Sequence, residues 1–118
     1  RSYSVTGVQT CALPIYILRI KEERLDNRFT SELKTQLLML VSEEAADIIL
    51  VDLSHVTYAD SSGLGALLLG LRQARENNKK FALVGAQKRV LSLIKIAHLN
   101  DVLFSYDSAP KAVKGLSD

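Results

Sequence analysis

The chain has 118 residues with 15 Lys and Arg against 13 Asp and Glu, a formal net charge of +2, and 47% hydrophobic residues. That length holds one domain, and that balance describes a globular protein with a real core rather than a disordered tail. The basic residues are scattered rather than gathered into a stripe that could track phosphates, which argues against nucleic acid as a partner. The longest apolar run, Leu64 to Leu71, is interrupted by Gly65 and Gly70 and falls short of the roughly 20 residues that cross a bilayer, so no direct membrane insertion is expected.

In chain order, residues 1–15 stand apart. Val5 to Ile15 resembles the translation of a widely used sequencing adapter, so residues 1–15 are read as a disordered or non-native artefact and residues 16–118 as the domain. Setting that segment aside removes Arg1 and the single cysteine, Cys11, leaving 14 basic against 13 acidic residues and a net charge of +1. Without cysteine there is no disulfide, thiolate metal site or thiol nucleophile, which fits a reducing, cytoplasmic setting.

Tyr16 to Ile20 is short, apolar and β-rich and predicts a strand, its upstream partner expected to be missing. From Thr30 to Glu43, Leu33, Leu37, Leu40 and Val41 line one helical face, with Thr30 or Ser31 available as the cap. Asp47 to Leu53 contains Ile-Ile-Leu-Val without polar alternation, the mark of a central strand buried on both faces. A second helix is predicted over Ser62 to Glu76, ended by Asn77-Asn78. A strand follows from Lys79 to Gly85, then a helix from Gln87 to Ala97, a strand from Val102 to Tyr106 and a helix from Ala109 to Leu116. This alternation predicts an α/β sandwich in which about four helices pack on a mixed sheet of about four strands.

Chemistry is sparse along this frame. His55 and His98 are far apart and neither has a short-spaced partner, so no metal site is predicted. Asp-Ser-Ser-Gly is not a nucleophile elbow, and Gly63-Leu64-Gly65 lacks the lysine of a phosphate loop. Asp52 ends the central strand, where an aspartyl phosphoacceptor would stand, but the acidic residues that would hold a magnesium ion are lacking. We therefore expect no enzyme, no cofactor and no small-molecule substrate.

The informative segment is Ala59 to Gly65, where a buried strand feeds a helix. Asp60, Ser61 and Ser62 are all good N-cap residues, and Gly63 and Gly65 would let the first turn approach the sheet. One cap explains one of the three polar residues. It does not explain two glycines inside a helix, each costing about 0.8–1 kcal/mol against alanine.

Val51 to Gly65, with its Asp60-Ser61-Ser62-Gly63-Leu64-Gly65 core, resembles the signature of STAS domains, and of bacterial anti-sigma factor antagonists in particular. Phe81 to Gly85 and Val90 to Ile94 take the later positions of the family pattern, so the likeness runs from about Tyr16 to Val113. Two positions differ. Glu23-Arg24-Leu25-Asp26 keeps the Leu and Asp of a family turn but not its glycine, and His98 stands where glycine is common.

The resemblance implies a phosphorylatable serine after the motif aspartate, here Ser61, and an anti-sigma factor serine kinase as partner. It further implies a partner face built from Asp26, Asp60, Ser61, Ser62, Gly63 and Leu64. The alternative it allows is a non-switching STAS subunit of a membrane transport complex or a stressosome-like scaffold.

Overall fold

The computed structural model describes residues 3–10, 13–42 and 47–117. Among these, the elements run β1 (Tyr3–Thr10), β2 (Leu13–Ile20), β3 (Arg24–Leu25), α1 (Thr30–Ser42), β4 (Ile48–Asp52), β5 (Tyr58–Ala59), α2 (Ser61–Glu76), β6 (Lys80–Val84), α3 (Lys88–Ile96), β7 (Ser105–Tyr106) and α4 (Ala109–Ser117). The main sheet has the order β1-β2-β4-β6-β7. Its β2, β4, β6 and β7 are parallel, and β1 pairs antiparallel with β2.

The central place predicted for the Ile-Ile-Leu-Val run is where β4 lies, and its two-residue period divides the core. Ile49 and Val51 pack with α1, α2 and α3 in the larger cluster, whereas Ile48 and Leu50 face a smaller cluster that includes Ala112 of α4. All four are fully or almost fully buried, as the lack of polar alternation requires. The expected α/β sandwich with four helices is therefore the architecture found.

Three expectations change. The first strand is present rather than missing, since residues 3–10 pair in register with β2 from Tyr3 opposite Ile20 to Thr10 opposite Leu13. Ile15, assigned by sequence to the adapter side, is buried beside Ile17 and Ile48. The physical reason is that β2 would otherwise leave its backbone N–H and C=O groups unpaired along one edge, and a preceding segment satisfies them whatever its side chains. We keep the adapter origin of residues 1–15 as a proposal about the source DNA. Resequencing tests it: different codons upstream of Tyr16 would establish it, and identical ones would remove it.

The last strand is also shorter than expected. The Leu99 carbonyl accepts from the amides of Val102 and Leu103, curling that stretch into a turn before pairing begins at the Phe104 carbonyl. Helix α1 begins at a buried Thr30, whose hydroxyl is turned to the Asn27 carbonyl, while the Asp26 carbonyl accepts from the amides of Phe29 and Thr30. Glu43, the predicted end of α1, lies outside the described residues, as does Cys11.

Two helices end alike. At α2, the amides of Asn78 and Lys79 donate to the carbonyls of Arg75 and Ala74, and at α3 those of His98 and Leu99 donate to Lys95 and Ile94. Asn78 and His98 both take φ of 59°, the left-handed residue of this helix ending, where glycine is usual. His98 thus occupies the glycine position by adopting the glycine conformation.

Candidate partner-binding site

The two loops named by the sequence are brought together by a second, two-stranded sheet. β3 pairs parallel with β5, with Arg24 opposite Tyr58 and Leu25 opposite Ala59, so Asp26 and Asp60 leave the pair side by side. The Asp60 amide donates to the Leu25 carbonyl at 3.2 Å, tying the start of α2 to the Asp26 loop. The lost family glycine costs nothing here, since Glu23 is outside the positive-φ region and its carbonyl accepts from Thr57 and Tyr58.

Asp60 is the cap of α2. Its Oδ1 accepts from the Gly63 amide at 3.0 Å and from Ser62 Oγ at 2.6 Å. The Ser62 hydroxyl and then the Gly63 amide hold its carboxyl below the usual value, against burial and the like charge of Asp26. That leaves Ser61. It is the first residue of α2, exposed, and its hydroxyl makes no hydrogen bond to the described residues.

The two motif glycines separate sharply. A Cβ on Gly63 would lie 2.9 Å from Leu25 Cγ and closer still to the Leu25 carbonyl oxygen, so this turn can sit against β3 only as glycine. A Cβ on Gly65 would meet nothing within 4 Å. The expectation that both glycines serve close packing is thus corrected: Gly65 faces open solvent. Gly63 and Leu64 are buried and shape the backbone beneath the surface rather than forming it.

Asp26 is placed differently from the other predicted residues. It is only 8% exposed. Its carboxylate accepts from the Arg28 amide and Nη2, both at 3.1 Å, from Arg28 Nε at 3.4 Å and from Arg24 Nε at 3.5 Å. The Arg28 guanidinium and amide are the main reasons its carboxyl is held low. Over the buried Asp26 the loop shows two arginines to solvent, the Arg28 side chain 76% and the Arg24 side chain 55% exposed, next to the exposed Glu22 and Glu23. Arg24 also stands 4.2 Å from the Tyr58 ring centroid. The sequence reading missed these arginines, because Arg28 reaches Asp26 only through the turn in which the Asp26 carbonyl accepts from the amides of Phe29 and Thr30.

Asp52 is engaged elsewhere. Burial raises its carboxyl, but Ser54 and Arg19 outweigh this and leave it lowered, the Ser54 amide at 2.9 Å and Arg19 Nε at 3.2 Å. Among the described residues no group of three or more His, Cys, Asp or Glu is placed to hold a metal ion, and no helix is long and apolar enough to cross a membrane.

Comparison with known proteins meets this geometry. The family model described as "Mlab, STAS domain" matches residues 18–105. The chain belongs to the STAS domain family. The resemblance read from residues 51–65 is borne out. An anti-sigma-B factor antagonist of Staphylococcus aureus is 32% identical over 79 residues, 67% of this chain and 72% of that protein. One from Staphylococcus epidermidis is 29% identical over 68 residues, and the match spans 58% of this chain and 63% of that relative's length.

Solved structures agree on the fold. An anti-sigma-factor antagonist (STAS) domain protein from Planctomyces limnophilus superposes with a TM-score of 0.79 at 16% identity, covering 97% of this chain and 98% of its own. The Bacillus cell fate determinant SpoIIAA in its phosphorylated form gives 0.67 at 13% identity, covering 97% and 98%. A sulfate transporter family protein from Wolinella succinogenes gives 0.74 at 19% identity, covering 89% and 84%.

Proposed function

We propose that this STAS domain is an anti-sigma factor antagonist, a cytoplasmic binding module without catalysis of its own. Unphosphorylated, it docks an anti-sigma serine kinase and so frees a sigma factor for transcription. Phosphorylated on Ser61 by that kinase, it lets go. The observation that carries this reading is the exposed, unbonded Ser61 hydroxyl at the first position of α2, beside a cap that already satisfies the helix start.

The chemistry is a phosphoryl transfer in which the Ser61 oxygen takes the γ-phosphoryl of the kinase's ATP and gives up its proton, with ADP leaving. The product adds about −1.5 to −2 charges at neutral pH. A helix N-terminus tolerates that charge, by roughly 0.3–1 kcal/mol per favourable contact, so the fold should survive. A docked partner meets it differently: the phosphate stands beside the ionised Asp60, and burying both without a counter-charge disfavours the complex.

Gly65 supports the same reading. Residues 61 and 65 share a helix face, and with no intramolecular neighbour for its Cβ the fold supplies no reason for this glycine. A partner backbone lying close over Ser61 would supply one. The names of the staphylococcal relatives and the phosphorylated state of the Bacillus neighbour are in keeping with it.

Titration of the cognate kinase with Ser61→Ala and Ser61→Asp tests the proposal. Tight binding by the alanine variant and at least tenfold weaker binding by the aspartate variant are expected, and equal binding by both contradicts it. A second reading, a non-switching subunit of a transport complex, has its own observation in the Wolinella neighbour, a sulfate transporter family protein. A transporter component co-purifying with a protein that carries no phosphate on Ser61 in cells would favour that reading.

A further inference from the structure

A second feature lies at the other end of α2, about 20 Å from Ser61 at 1.5 Å per residue. Arg75, Lys79 and Lys80 stand around an open groove of about 460 Å³ whose apolar surface includes Phe81, Phe104 and Tyr106. Every charged residue lining it is a cation. Phe81 is buried and forms floor, but Phe104 is 45% exposed, an aromatic ring left to water at the rim. The wall on the α4 side is firmly seated. The Lys80 ammonium donates to the Leu116 carbonyl, and a Cβ on Gly115 would lie 2.6 Å from the Tyr106 ring. A concavity that joins aromatic surface to a few charged groups of one sign shares these elements with small-ligand sites.

We infer that this groove binds a single-chain anionic amphiphile, its hydrocarbon body against Phe104 and Tyr106 and its head on the Arg75 side. Charge complementarity sets the sign of the head. A peptide added as a strand fits less well, because β7, the sheet edge here, offers only two residues as a template. The inference is independent of the Ser61 reading.

Backbone amide chemical-shift titrations test it, using dodecyl phosphate and dodecanoate below their micelle concentrations and dodecyl maltoside as the uncharged control. We expect saturable shifts for the anions confined to residues around Arg75, Phe81, Phe104–Tyr106 and Leu116, with phosphate and carboxylate heads ranked by their affinities. Arg75→Glu is expected to weaken binding at least tenfold, and so is Phe104→Ser, each with an otherwise unchanged spectrum. Equal binding of the maltoside, unchanged affinity in both variants, or binding only to vesicles of anionic phospholipid would overturn it.

Discussion

Gly63 and Gly65 sit two residues apart in one helix turn and do opposite things. Gly63 is pressed on the Leu25 backbone and has no room for a methyl group, whereas Gly65 has open space where a side chain would go. One glycine belongs to the scaffold; the other belongs to the surface that carries Ser61. The lesson is that a motif can join a packed position and an open surface position two letters apart, and only the structure separates them.

Substitution should separate them too. Gly63→Ala forces the first turn of α2 away from β3 and is expected to destabilise the domain by about 1–3 kcal/mol, the range for overpacking, measured by urea unfolding. Gly65→Ala should do the reverse. With nothing within 4 Å and alanine the better helix former, it should stabilise the fold by about 0.8–1 kcal/mol. The same variant should bind the kinase more weakly, and undiminished binding would return Gly65 to a role without a partner.

Three carboxylates tie the backbone down, Asp26 and Asp60 beside these glycines and Asp52 at the end of β4. Asp26, Asp52 and Asp60 are each held below the ordinary aspartate value. A depressed value in the folded state means that the stabilisation is complete above the unfolded value, about 3.9, and is lost as pH falls through the lower folded value. Thermal unfolding should therefore show a melting temperature that drops below about pH 4, and Asp26→Asn should flatten part of that drop. The smallest effect is expected at the far end of α3. His98→Gly relieves a left-handed residue but frees the unfolded chain, and should net about 0.5 kcal/mol of stability by urea unfolding.

Much of the frame could be read before any coordinates. The leucine stripes of α1 and α2 and the unbroken Ile-Ile-Leu-Val of β4 are long enough for their periods to show, and they fall within a residue or two of their predicted bounds. β3 and β5 were missed because two residues carry no period, yet that short pair is what sets Asp26 beside Asp60. In the motif itself, residue type marked Asp60, Ser61 and Ser62 alike as caps at a strand-to-helix junction, and the family resemblance alone singled out Ser61. The burial of Asp26 under Arg24 and Arg28 could not be read, because it depends on the loop folding back on itself. Nor could the difference between Gly63 and Gly65, because the carbonyl that confines Gly63 comes from Leu25, far away in sequence.

The central claim concerns one modification. The most direct test is calorimetric titration of the cognate anti-sigma kinase with this protein phosphorylated stoichiometrically on Ser61 and with the unmodified protein, alongside the melting temperature of each. The account predicts affinity at least tenfold weaker for the phosphorylated form, with melting temperatures within a few degrees of each other. Equal affinity, or a phosphorylated form that has lost its fold, would contradict it.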